Sequence, residues 1–135
     1  MMGRIKEHMQ KGFMVYSGCD EMLLSGLISG ADAAIGSTYN VIPDLYISAS
    51  NHLKSGNTDI AKRELMTANA ILEEMFKYGI NSSIRAMFEF MGIDAGYSPL
   101  PFCNLNTDEK TVLKKSLQKI KYNSELHSAA LFEYI

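Results

Sequence analysis

A chain of 135 residues with 47% hydrophobic and 21% charged side chains has the size and balance of one globular domain with room for a core. Its 13 basic and 15 acidic residues give a formal net charge of -2 without any basic block, which argues against a nucleic-acid partner. The longest apolar run, 22–28, is broken by Ser25 and Gly26 and falls far short of the roughly 20 residues that span a bilayer, so no membrane partner is expected.

Positions 1–10 are polar and charged, unlike a secretory signal. Cys19 and Cys103 offer neither C-x-x-C spacing nor a disulfide framework, and the expected compartment is the cytoplasm. His8, His52 and His127 lack ligand-like spacing, so neither a metal nor a cofactor is expected.

In chain order, Ile5, His8 and Met9 have helical spacing over residues 4–11, and Gly12 can end that helix. Residues 13–16 form a continuous apolar run, the pattern of a parallel strand buried on both faces. Ser17 and Gly18 close it. Asp20 is placed to cap a following helix in which Leu23, Leu24, Leu27 and Ile28 make an apolar face before Gly30. Residues 31–35 read as a second strand, and the largely helical crossover between the two predicts a parallel pair.

After Asn40 the periodicity is helical throughout. Residues 41–55 carry Pro43 in the first turn, an apolar side of Ile42, Leu45, Tyr46, Ala49 and Leu53, and Gly56 just past the end. Residues 58–78 form the clearest helix, with Asn57 or Thr58 as cap, a stripe of Ala61, Leu65, Ala68, Leu72, Met75 and Phe76, and Gly79 as terminator. Ser82 or Ser83 is expected to open the next, with Ile84, Met87, Phe88 and Met91 inward and Gly92 closing. Residues 94–106, with Gly96, Pro99 and Pro101, read as a loop. Thr107, Asp108 and Glu109 begin an amphipathic helix through Val112, Leu113, Leu117 and Ile120, and the tail has helical character around Leu126, Ala130 and Leu131.

Two short parallel strands and at least four helices do not close an α/β fold, because the outer edges of the pair stay open. The chain therefore reads as the end of a larger α/β protein. Tyr16-Ser17-Gly18-Cys19-Asp20-Glu21, followed by Gly30-Ala31-Asp32-Ala33-Ala34-Ile35-Gly36-Ser37-Thr38-Tyr39-Asn40, resembles the C-terminal half of the dihydrodipicolinate synthase/N-acetylneuraminate lyase family of class I, pyruvate-dependent aldolases. The Asp20-Glu21 pair and the run 36–40 favour the sialic-acid branch, and the resemblance extends from about Ile5 into the helix beginning at Thr107.

The resemblance implies an α/β fold: the C-terminal part of a (β/α)8 TIM barrel, contributing its last two parallel strands, followed by additional C-terminal helices. On that basis residues 1–56 are the last strand–helix units, 57–135 are a helical extension, and there is no independent second domain. The resemblance further implies an N-acetylneuraminate lyase that cleaves sialic acid to N-acetylmannosamine and pyruvate through a Schiff base. The imine lysine, the proton-shuttling tyrosine and the carboxylate-holding loop belong to earlier strands, so no catalytic residue is assigned here and the isolated chain is expected to be inactive. Gly18, by backbone contacts, with Asp20, Glu21 and Ser37 are the implied substrate-binding residues, directed at the polyol tail of a sugar acid. Ionised carboxylates accept hydrogen bonds and suit a hydroxyl-rich ligand. The expected partners are that substrate, bound together with the missing N-terminal half, and either further copies of this chain in a homo-oligomer or an N-terminal half-barrel chain. Two other functions fit the residues: a sister aldolase joining pyruvate to another aldehyde, and a non-catalytic remnant acting in assembly. Asp20 as a plain helix cap and Ser37 as another are the competing roles for those side chains.

Overall fold

The computed structural model describes residues 2–124 and 129–135. The tail residues around Leu126, and His127, lie outside the described residues. The elements run α1 (Met2–His8), β1 (Tyr16–Ser17), α2 (Leu23–Ile28), β2 (Ala33–Ala34), α3 (Pro43–Lys54), α4 (Thr58–Phe76), α5 (Ile80–Phe90) and α6 (Thr107–Asn123). Short 3-10 turns at Asp20–Met22, Thr38–Asn40 and Ala130–Glu133 punctuate them. The architecture is α/β, and no helix among the described residues is long and apolar enough to cross a membrane.

The strands pair in parallel as the crossover length requires, with Tyr16 opposite Ala33 and Ser17 opposite Ala34. Asp32 N–H donates to Val15 O (2.8 Å) and Ile35 N–H to Ser17 O (2.9 Å), extending the ladder by one bond at each end. Gly26 lets α2 lie directly on β1, since a Cβ there would collide with the buried Ser17 side chain. The pair is shorter than residues 13–16 and 31–35 predict, and residues 13–16 are not buried on both faces. Phe13 and Met14 are each 55% exposed and Ile35 is 66% exposed. A two-stranded sheet has one covered side and nothing over the other, so the apolar run has no second layer to enter.

The core lies in the helices. Ile42, Leu45 and Ala49 of the α3 region, Ala68, Ile71 and Met75 of α4, Met87 of α5, and Leu113 and Leu117 of α6 form one buried cluster. Leu131 and Phe132 of the last 3-10 turn complete it, and Ala130 N–H donates to Asp44 Oδ2 (2.5 Å) at the start of α3. The α6 start is a full capping box: Glu109 N–H donates to Asn106 Oδ1 (2.9 Å) and Asn106 N–H to Glu109 Oε2 (2.8 Å).

Three expectations about helix ends and faces do not hold. Neither Ser82 nor Ser83 opens α5, which starts at Ile80; both are buried within it, Ser83 Oγ donating to Met75 O (3.2 Å) and Ser82 Oγ to Cys103 O. Each serine thus satisfies a carbonyl outside its own helix. Phe76 is not on the α4 stripe; it is exposed, and Ile71 takes the buried place because the face follows Ala68, Ile71, Leu72 and Met75. Asn57 precedes α4 without a side-chain capping bond.

Candidate functional site

The two turns that follow β1 and β2 stand side by side because the strands are parallel and in register. They carry all four residues singled out from the sequence. Gly18, Glu21 and Ser37 are exposed, whereas Asp20 is only 8% exposed.

Asp20 does not cap its own helix. The 3-10 turn Asp20–Met22 follows Cys19 with no side-chain capping bond, and the Asp20 carboxylate crosses instead to the other turn. Thr38 N–H donates to Asp20 Oδ2 (3.0 Å), and Thr38 Oγ1 donates to the same oxygen (2.5 Å). Since the threonine proton is committed to a group that only accepts, Tyr46 O–H is the donor to Thr38 Oγ1 (2.8 Å). Thr38 is fully buried and Tyr46 nearly so. Gly36 completes the pocket for the carboxylate: a Cβ at that position would fall on Asp20 Oδ1.

Ser37 likewise makes no capping hydrogen bond through its side chain; its carbonyl accepts from Asn40 Nδ2 (2.8 Å), which shapes the turn from the backbone side. Ser37 and Glu21 thus sit on opposite turns, each next in sequence to a member of the Asp20–Thr38 link. The Cys19 thiol is pushed up from its ordinary value, by desolvation first and then by its hydrogen bond to Glu21 and the negative charge beside it. That is the opposite of what an activated thiolate requires.

Thr38, Tyr39 and Tyr46 are the participants that residue patterns did not single out. Tyr39 stacks obliquely on Tyr46 with ring centroids 4.2 Å apart, and its hydroxyl is buried without a hydrogen-bond partner among the described residues. Burial, and next the Asp20 charge, push the Tyr39 phenol up to about 12. Tyr46 is raised as well, again mainly by burial. Thr38 and Tyr39 lie in the run 36–40, so a signal was present; Tyr46 looked like a core position on the apolar side of α3.

A groove of about 420 Å³ opens beside these residues, lined by Leu27, Ala34, Tyr39, Tyr46, Ile47 and Asn51 among others. A second cavity, of about 550 Å³, lies elsewhere, between α5, the 94–106 loop and α6. Its charged groups are already engaged, Arg85 with Ala95 O and Lys110 Nζ with Glu89 Oε2 (2.6 Å), and it holds no acid–base or nucleophilic constellation. Among the described residues no group of three or more His, Cys, Asp or Glu could hold a metal ion.

The model of the Dihydrodipicolinate synthetase family matches residues 1–120. An N-acetylneuraminate lyase of Rhizobium meliloti is 31% identical over 107 residues, covering 79% of this chain and 36% of that protein. The solved Proteus mirabilis N-acetylneuraminate lyase superimposes with a TM-score of 0.72 at 26% identity, over 78% of this chain and 36% of that one. A variant of the Sulfolobus solfataricus 2-keto-3-deoxygluconate aldolase reaches a TM-score of 0.82 over 94% of this chain and 44% of that one, at 22% identity, which speaks for the fold alone. The chain thus spans little more than a third of the curated relative's length. With a family match over nearly its whole length, the chain belongs to the dihydrodipicolinate synthetase family.

Proposed function

We propose that the chain is the C-terminal portion of a (β/α)8 aldolase of the N-acetylneuraminate lyase type, supplying the sugar-recognition end of its active site. Residues 1–56 are then the last strand–helix units and 57–135 the helical extension. The observation that carries this reading is the pairing of the two turns. Parallel, in-register strands bring Gly18, Asp20 and Glu21 beside Ser37 at the carboxyl ends of the strands, where barrel enzymes keep their chemistry.

Two exposed polar side chains on opposite turns, Glu21 and Ser37, suit a hydroxyl-rich ligand, one purely an acceptor and the other donor and acceptor. Gly18 is exposed with open space around it, so a ligand can approach the backbone. The substrate is a sugar acid, with sialic acid favoured by the Asp-Glu pair and by the lyases among the relatives. The imine lysine belongs to a part of the barrel outside these residues. Lys6 sits on α1, bound to Asp32, and Lys11 follows the same helix, so neither has a strand-end setting.

The test is titration of the chain with N-acetylmannosamine, followed by the backbone amide resonances of residues 18–21 and 36–38. Those amides should move, and Glu21→Ala should weaken the response by about 1.5–3 kcal/mol, the range for a hydrogen bond to a charged group. An unchanged spectrum, or a Glu21→Ala variant that responds like the parent, would remove the sugar site from this end of the strands.

A further inference from the structure

We infer that residues 129–135 are a strap: docked across the start of α3 and one face of α6, they hold the first turn of α3 and, through it, the 3-10 turn that follows β2. The inference is independent of the ligand assigned to the strand ends. The strap also lies beyond residues 1–120, the part of the chain that the family model matches.

Ala129, Leu131 and Phe132 are buried in the same core cluster as Ile42 and Leu45 of the α3 region, and Ile135 packs against it. Polar bonds fix the strap at both ends. At its start Ala130 N–H donates to Asp44 Oδ2 (2.5 Å). At its end Lys114 Nζ donates to Tyr134 O (3.1 Å), and Lys121 Nζ donates to Phe132 O and to Ile135 O (3.3 Å). Lys114 and Lys121 are two helical turns apart, so both reach the strap from one face of α6. Each of these bonds has a charged partner, which is the stronger class of hydrogen bond.

Asp44 is where the strap meets the strand ends. It is the second residue of α3, a helix that begins at Pro43 after Ile42, which supplies no side-chain cap. The beginning of α3 is fixed instead by contacts to other segments: Ile42 and Leu45 in the core, Tyr46 O–H on Thr38 Oγ1 (2.8 Å), and the strap amide on Asp44. The link onward is backbone, since Val41 N–H (3.0 Å) and Ile42 N–H (3.1 Å) both donate to Thr38 O. The turn 38–40, Val41, Ile42 and the first turn of α3 are thus joined as one unit, and the strap bears on that unit at Asp44.

The experiment is amide hydrogen exchange on the full chain, comparing Val41 and Ile42 with Ile71 of α4 and Met87 of α5. Ala130→Pro removes the strap's donor and leaves Asp44 in place; Ala130 opens its 3-10 turn after an extended Ala129, a position that suits proline. Asp44→Ala removes the acceptor, and Asp44→Asn keeps one. Ala130→Pro and Asp44→Ala should each speed exchange at Val41 and Ile42 by about tenfold or more, the scale of a lost bond to a charged acceptor, with Ile71 and Met87 unchanged. Asp44→Asn should stay close to the parent. If Ala130→Pro does not fold, Lys121→Met, which frees the other end of the strap, takes its place with the same expectation. Faster exchange in Asp44→Ala beside a parent-like Ala130→Pro would show that Asp44 serves only its own helix and overturn the inference. Equal acceleration at Ile71 and Met87 would reduce the strap to a contributor to general stability, and would overturn it too. So would parent-like rates in every variant, or a parent in which Val41 and Ile42 are already unprotected.

Discussion

Gly36 has no side chain because Asp20 Oδ1 occupies the space a Cβ would need. Gly36→Ala therefore forces either the carboxylate off Thr38 or the turn away from β1. Overpacking of this kind costs about 1–3 kcal/mol, and urea unfolding of the variant should show a lower midpoint at unchanged slope. A midpoint equal to the parent's would mean that the two turns are not packed as described. Tyr39 gives a second test. Its phenol is raised from 10.0 to about 12 by burial and by Asp20, so the native state holds this proton more tightly than the unfolded state does. That contribution is fully present below pH 10, and is lost as pH rises through the folded value near 12. Denaturation midpoints followed across that window should fall less in Tyr39→Phe than in the parent; parallel curves would contradict the burial of the hydroxyl. At this scale Asp20, Glu21 and the run 36–40 were legible as a constellation. The partner of Asp20 was not, because Thr38 is 18 residues away and its bond depends on strand register that no local pattern encodes.

Helix ends were the most legible elements. Gly30, Gly56, Gly79 and Gly92 all take positive φ at or next to the ends the sequence marks, as glycine does where other residues are strained. The serines of α5 misled because hydroxyl residues at a helix start and hydroxyl residues bonded to a neighbour's carbonyl have the same local sequence. The strands were the least legible in extent. An apolar run states that a segment can be buried, and here too few neighbours exist to bury it. The capping box of α6 was half visible, in Glu109 within an acidic first turn, and its other half is Asn106. Asn106→Ala should cost about 1 kcal/mol, in the range for loss of an N-cap side chain. Urea unfolding and amide exchange in the first turn of α6 are the measurements. An unchanged midpoint, with first-turn exchange as slow as the parent's, would show that the box contributes nothing.

For the molecule as a whole, the division between a buried helical cluster and an uncovered strand pair sets the expected behaviour in solution. Phe13, Met14, Tyr16, Ile28 and Ile35 are all half or more exposed, and large apolar side chains left in water forgo roughly 1.5–3 kcal/mol each. That sum rivals the stability of a whole domain. The chain should therefore associate through the strand edges and the α2 face, either with itself or with the rest of a barrel. Light scattering at low micromolar concentration should give a mass above that of one chain, with amide exchange slow in α3 to α6 and faster around β1 and β2. A monomer with both strands strongly protected would contradict the incomplete sheet. If this chain carries the sugar-recognition end of a pyruvate-dependent aldolase, the imine chemistry belongs to other strands. Borohydride trapping in the presence of pyruvate, read by intact mass, distinguishes the two cases. No stoichiometric adduct should form on the isolated chain, and stoichiometric labelling of any lysine in it would place the imine chemistry on this chain instead.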